Sequence, residues 1–228
     1  MTPLVLLPGL ACDEGLWAPQ LTGLSGSADM RVADLTRDDD LAGMAERVLA
    51  DAPERFALAG LSMGGYLAFE ILRRAPEWVT RLALLDTSAR PDTPEQAEKR
   101  RDAVAASEKA GLAAVMRSGL DTLLAEGASS ELRRAVIAMA ERVGGDAYRR
   151  QQRAIAARPD SRPLLARIAT PTLVLVGEED ALTPPPVAKE MADAIPDATL
   201  VQVPGSGHLS TLERPDAVTS ALREWLSR

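Results

Sequence analysis

Apolar residues along the chain fall into short unbroken runs, each halted by a turn residue and most followed by a stretch of helical periodicity. Leu4-Val5-Leu6-Leu7 stops at Pro8-Gly9, Met30 to Leu35 gives a second run, and Phe56-Ala57-Leu58-Ala59 closes at Gly60. Arg81 to Leu85, Thr172 to Val176 and Thr199 to Val203 complete a set of six. Continuous apolar runs, as opposed to strict alternation, suit strands covered on both faces. Helical stretches separate most of them, among them Met63 to Ala75, ended by Pro76. Such alternation predicts an α/β fold with a doubly wound, mostly parallel sheet of about six strands.

From about Thr87 to Thr170 the rhythm changes, and helices replace strands. Thr93-Pro94-Glu95-Gln96 is a helix-start signature, with a Thr cap, Pro in the first turn and Gln reaching back. Leu132, Val136, Met139, Ala140 and Val143 share one helical face. Gly144-Gly145 ends that helix, and Asp146 is placed to cap the next. A crossover rarely needs so many residues, so an inserted helical cap is favoured over a set of long crossover helices. The expected organisation is a core formed by residues 1–86 and 171–228, with a helical cap at 87–170.

Composition narrows the function classes. A chain of 228 residues with 46% apolar and 26% charged residues can bury one sizeable core. Its 33 acidic and 26 basic side chains give a net charge of −7, which disfavours a nucleic-acid or anionic-membrane partner. The apolar run Leu4 to Leu7 is too short for a signal peptide or a membrane span. A single cysteine, Cys12, forms no intrachain disulfide and suits a reducing cytoplasm. One cysteine and one histidine are a poor set for a transition metal, so neither metal nor other cofactor is expected. The expected partner is a small-molecule acyl substrate, and oligomeric state is left open.

The chemistry concentrates at three places. Gly60-Leu61-Ser62-Met63-Gly64-Gly65 contains G-x-S-x-G between a predicted strand and a predicted helix, the context of a nucleophile elbow. Side chains flanking the serine would clash in so sharp a turn, which accounts for the glycines. The pattern lacks both the Gly-Lys-Ser/Thr ending and the G-x-G-x-x-G spacing of phosphate loops. A serine hydroxyl needs a neighbouring base. His208, the only histidine, stands in Gly205-Ser206-Gly207-His208 after the last predicted strand, where open α/β sheets place their sites. The imidazole in turn needs a carboxylate. Asp180 is the choice within Gly177-Glu178-Glu179-Asp180, because it sits deeper in the loop, with Glu178 and Glu179 solvated or bracing; Asp86, ending Leu84-Leu85, is the rival.

The order Ser62, Asp180, His208 is that of α/β-hydrolases. The sequence resembles that superfamily, and within it small cap-bearing esterase- or lactonase-like members. The resemblance is carried by Leu6-Leu7-Pro8-Gly9-Leu10, the elbow, Gly177 to Pro184, and Gly207-His208 with Glu213-Arg214-Pro215, so it spans almost the whole chain. It implies an oxyanion hole made by the main-chain amides of Leu10 and Met63. Two departures stand out. Pro8-Gly9 replaces the family's usual His-Gly, which bears on loop bracing more than on chemistry. The usual opening hairpin has no room before Leu4, so a smaller sheet is expected.

The implied function is a serine hydrolase cleaving a small carboxylic ester or related acyl substrate through an acyl-enzyme, without a cofactor. Lactonase, acyltransferase, lyase and perhydrolase activities use the same constellation. A ligand-binding protein with a residual triad is the reading from outside enzymology. Cys12 reads as a small packing residue, Trp17 and Met63 as neighbours of the site, and Trp78 and Trp225 as packing residues. The arginines between Arg133 and Arg167 read as a solvated face, with carboxylate recognition as the sharper alternative.

Overall fold

A computed structural model describes residues 1–228. The six strands are β1 (Thr2–Leu7), β2 (Ala28–Val32), β3 (Phe56–Leu61), β4 (Val79–Leu85), β5 (Thr172–Gly177) and β6 (Ala198–Val203). They form one sheet in the order β2-β1-β3-β4-β5-β6, and every neighbouring pair is parallel. Around them lie α1 (Ala18–Gly23), α2 (Leu41–Asp51), α3 (Met63–Arg74), α4 (Pro94–Ala110), α5 (Leu112–Leu123), α6 (Ser130–Val143), α7 (Gly145–Ala156), α8 (Arg162–Leu165), α9 (Pro185–Ala194), α10 (Ser210–Glu213) and α11 (Pro215–Ser227).

The period of two along a strand builds both layers. On β1, Val5 and Leu7 join a core with Met44 of α2, Leu67 of α3 and Met191 of α9. Leu4 and Leu6 face the other way, into a core with Leu222 and Trp225 of α11. Residues of β3, β4 and β5 divide between the same two cores, as Leu58, Leu84 and Val174 against Ala59, Leu85 and Leu175 show. Each leucine so removed from water contributes about 1.5–3 kcal/mol. Trp225 packs as its sequence suggests, and Trp78 lies partly buried against the first core.

The second strand starts and stops earlier than its apolar run suggests, at Ala28–Val32 in place of Met30 to Leu35. The Asp34 carboxylate turns the chain out of the sheet by accepting hydrogen bonds from the Thr36 amide and hydroxyl. Leu35 still reaches the core, but from a loop. Between β4 and β5 the chain forms α4 to α8 and no strand. The Thr93–Gln96 capping box is present at the start of α4. Asp146, in contrast, does not cap α7. Gly144, at φ 83°, takes that position, and Asp146 lies in the first turn paired with Arg149.

Strand order reverses between β1 and β3, since β1 leads outward to β2 and β3 leads the other way to β4. The crevice beyond the carboxyl ends of such a pair is where open α/β sheets receive ligands. The segments entering it are Gly9-Leu10 after β1 and Ser62 after β3. No helix is long and apolar enough to cross a membrane.

Candidate active site

Ser62 occupies the single residue between β3 and α3, at φ 54° and ψ −113°. Its neighbours allow nothing larger than hydrogen. A Cβ on Gly60 would lie 2.3 Å from the Gly64 carbonyl oxygen, and one on Gly64 would lie 2.1 Å from that of Leu7. The strained turn is fastened at both ends. The Ser62 amide donates to the Leu85 carbonyl at 3.0 Å, and the Thr87 hydroxyl donates to the Ser62 carbonyl at 2.8 Å. Only two other non-glycine residues have positive φ, Ala11 and Asp86, and both also follow carboxyl ends of central strands.

His208 Nε2 lies 2.9 Å from Ser62 Oγ, and His208 Nδ1 lies 2.8 Å from Asp180 Oδ2. The three predicted side chains, 146 and 28 residues apart along the chain from the imidazole, therefore meet in one line. Asp180 is buried, and its carboxylate is saturated. Oδ1 accepts the amides of Leu182 and Thr183, while Oδ2 also accepts the Thr183 hydroxyl at 2.7 Å. Burial pulls against its ionisation, but the charge and hydrogen bond of His208 and the donors of Thr183 outweigh this and hold it below the ordinary carboxylate range. An ionised carboxylate only accepts, so Nδ1 carries the proton and Nε2 offers its lone pair to the serine hydroxyl. Burial disfavours the imidazolium, yet the facing Asp180, helped by Asp86 and Glu213, raises the His208 pKa above 6.5.

The imidazole loop is braced from two sides. Glu213 accepts the amides of Gly207 and Leu209 on one oxygen and that of Ala125 on the other. The His208 amide itself donates to the Leu123 carbonyl at the end of α5. After β1, the Ala11 amide donates to Gln151 Oε1, whose own amide nitrogen donates to the Leu35 carbonyl. No loop, turn or cap hydrogen bond occupies the amides of Leu10 or Met63. A cavity of about 600 Å³ opens onto Ser62 and His208, walled by Leu10 and Ala11 below and by residues of α4, α5, α6 and α7 opposite.

Comparison with known proteins agrees with this fold. Residues 2–221 match the α/β hydrolase family. The chain belongs to that family. It is 31% identical to a thermophilic esterase from Thermogutta terrifontis, solved with malate bound, at a TM-score of 0.91 over 100% of this chain and 90% of that one. An enol-lactonase from Burkholderia xenovorans LB400 superposes at a TM-score of 0.87 with 27% identity, over 100% of this chain and 92% of its own. A pimeloyl-[acyl-carrier protein] methyl ester esterase of Aromatoleum aromaticum is 30% identical over 243 residues, covering 93% of both chains. The protein is thus an α/β hydrolase by fold and by family, and a hydrolytic enzyme.

Two side chains of this α/β hydrolase that the sequence placed beside the site lie elsewhere, and the others fall largely as expected. Trp17 is fully buried beneath the sheet and Met63 packs into the opposite core, so neither side chain lines the cavity. Cys12 does line it, but burial pushes its thiol up to about 12, so it stays an uncharged packing group. Glu178 and Glu179 are exposed, and Glu179 braces the Glu126 amide. Arg133, Arg142, Arg149 and Arg162 pair with acids on the surface, as a solvated face requires, whereas Arg158 turns inward to the cavity.

Asp86, the rival acid, does not touch the imidazole. One of its oxygens accepts the Gly177 amide at 2.8 Å, and the other accepts the Ser210 hydroxyl. It thereby ties the end of β4 to the start of the Asp180 loop and to the segment just past His208. Complete burial pushes its carboxyl up to about 7. Asp86→Ala strands two buried donors and is expected to cost about 2–4 kcal/mol in urea denaturation. Asp86→Asn keeps an acceptor for Gly177 and is expected to stay within about 1 kcal/mol of the parent. An alanine variant as stable as the parent would contradict this clamp.

Proposed function

We propose that this hydrolase cleaves a small carboxylic ester through an acyl-enzyme formed on Ser62. His208 Nε2 takes the hydroxyl proton as Oγ attacks the acyl carbonyl, and the amides of Leu10 and Met63 receive the oxyanion. Collapse returns that proton to the departing alcohol. A water, deprotonated by the same nitrogen, then attacks the acyl carbon, and the acid leaves as Ser62 recovers its proton. Asp180 fixes the tautomer and offsets the imidazolium charge. The region 87–170 acts as a cap whose helices shape the acyl pocket.

The observation that carries this reading is the unbroken line from Asp180 Oδ2 through the imidazole to Ser62 Oγ, at 2.8 and 2.9 Å. Those distances lie within the reach that general-base catalysis needs. Esterases among the relatives support the ester as substrate. A lactone is the second reading, favoured by the likeness to the enol-lactonase, since a lactone is an internal ester opened by the same steps. A fluorophosphonate probe is expected to label this chain once, at Ser62, with loss of p-nitrophenyl acetate hydrolysis in proportion. Full esterase activity on an unlabelled chain, or labelling elsewhere, would reject the assignment.

A further inference from the structure

The cavity wall has a charge that the chain as a whole does not. It carries Arg90, Lys99, Arg100 and Arg158 and not one aspartate or glutamate, in a protein with net charge −7. Arg90 is paired at the rim with Glu190, and Lys99 is exposed without an ion-pair partner. The other two share one carboxylate. Arg100 Nε and Nη2 lie 2.5 and 3.2 Å from Asp92, and Arg158 Nη1 lies 2.6 Å from the same group. Side chains of Arg158 and Asp92 are 6% and 2% exposed, and that of Arg100 is 22% exposed.

Burial opposes the ionisation of Asp92, but the two guanidinium groups overcome it and hold its carboxyl below the ordinary range. Two cations against one anion leave a single positive charge at the wall without a counter-ion. An uncompensated charge at a shielded site is destabilising, so a surplus kept there points to a visitor of opposite sign. Arg158 also has a donor to spare. Its Nε donates to the Arg90 carbonyl and Nη1 to Asp92 and Ile155, while Nη2 makes no hydrogen bond in the protein and is not sealed from the cavity.

Tyr66 links the cluster to the nucleophile's turn. The Arg158 guanidinium stacks over the Tyr66 ring, 4.2 Å from its centroid. Tyr66 stands one helical turn beyond Ser62 and donates its amide to the Ser62 carbonyl. Arg100, Arg158 and Ser62 all line the one cavity, so a single ligand can reach both the cluster and the serine hydroxyl. Apolar side chains such as Ile155, Val187 and Leu182 line the same cavity.

We propose that the Arg100–Asp92–Arg158 cluster binds a carboxylate at the far end of the acyl group, so that the preferred substrates are half-esters or lactones of dicarboxylic acids. The proposal rests on Ser62 as the nucleophile for its catalytic half, but the binding half stands without it. Arg100→Gln is the informative variant, because it leaves Asp92 and Arg158 as a balanced pair and removes only the surplus. Two readouts are needed. The first is kcat/KM for monomethyl glutarate against methyl 5-methylhexanoate, in which an isopropyl group of the same shape replaces the carboxylate. The parent enzyme is expected to favour the anion by roughly ten-fold or more, the ratio a charge-assisted hydrogen bond sustains. Arg100→Gln is expected to bring that ratio near one. The second is calorimetric titration of Ser62→Ala with dicarboxylates from malonate to suberate, expected to show binding that Arg100→Gln abolishes in the same background. Equal losses on both esters, or no binding along the whole series, would overturn the proposal. Dicarboxylate binding by a chain that no fluorophosphonate labels would instead retire the serine mechanism and keep the anion site.

Discussion

Ser62→Ala is expected to lower kcat for ester hydrolysis by about 10⁵–10⁶, the scale on which a triad nucleophile is lost in serine hydrolases. The change removes one oxygen and nothing else. Alanine places the same Cβ at φ 54°, the Leu85 and Thr87 bonds are made by the backbone, and the glycines that admit the turn are untouched. Stability should therefore stay within about 1 kcal/mol of the parent. Substrate affinity should also survive, since the cavity wall is unaltered, so the loss falls on kcat and leaves the binding step in place. Initial rates on p-nitrophenyl acetate, beside a thermal melt, give both quantities. A variant that melts like the parent and retains a tenth of its kcat would refute the acyl-enzyme.

Asp180→Asn is the second large effect, expected at about 10⁴ in kcat. The asparagine oxygen can keep the amides of Leu182 and Thr183, which places its NH₂ toward His208 Nδ1. Nδ1 must then accept, and the ring proton moves to Nε2, where it faces the serine hydroxyl instead of receiving from it. The same variant moves the pH profile. Asp180 raises the pKa of His208 above 6.5, and catalysis requires the neutral ring. Parent kcat/KM therefore falls as pH drops through a value above 6.5, and without the Asp180 charge the inflection shifts downward. Asp86, whose carboxyl burial pushes up to about 7, acts on the imidazole through its charge without touching it and contributes to the same limb. Asp86→Asn removes that contribution while leaving the triad in place. An inflection that ignores Asp180→Asn would mean the profile reports some other group.

The strands and the meeting of Ser62, Asp180 and His208 were legible because each is written locally. Apolar runs such as Phe56 to Ala59 and Thr172 to Val176 have no other stable use than a doubly covered strand. The elbow is stated by two glycines around Ser62, and a lone histidine needs no choice among rivals. What escaped is written only by contact. Nothing near Gln151 shows that its amide bridges Ala11 and Leu35, which lie 140 and 116 residues away. Asp92 reads as one more polar residue before a helix cap, yet Arg158, 66 residues on, buries it. Trp17 follows the oxyanion segment closely enough to suggest the site, but its apolar bulk is drawn under the sheet. Asp86 was found by position, at a strand end, and rightly set behind Asp180, but its clamp was not legible, because which oxygen meets which donor is decided by how the loops after β5 and β6 fold back.

Ser62, Ala11 and Asp86 keep left-handed backbone that side chains resist, at about 1–3 kcal/mol apiece; Ser62 and Ala11 line the one cavity, and Asp86 is buried at the end of β4. Breeding this protein for heat resistance and breeding it for turnover would thus pull in opposite directions. The cheapest gains in melting temperature lie in relaxing the very bends that aim the hydroxyl, so hardier descendants should carry their improvements on the outer helices and leave those bends taut.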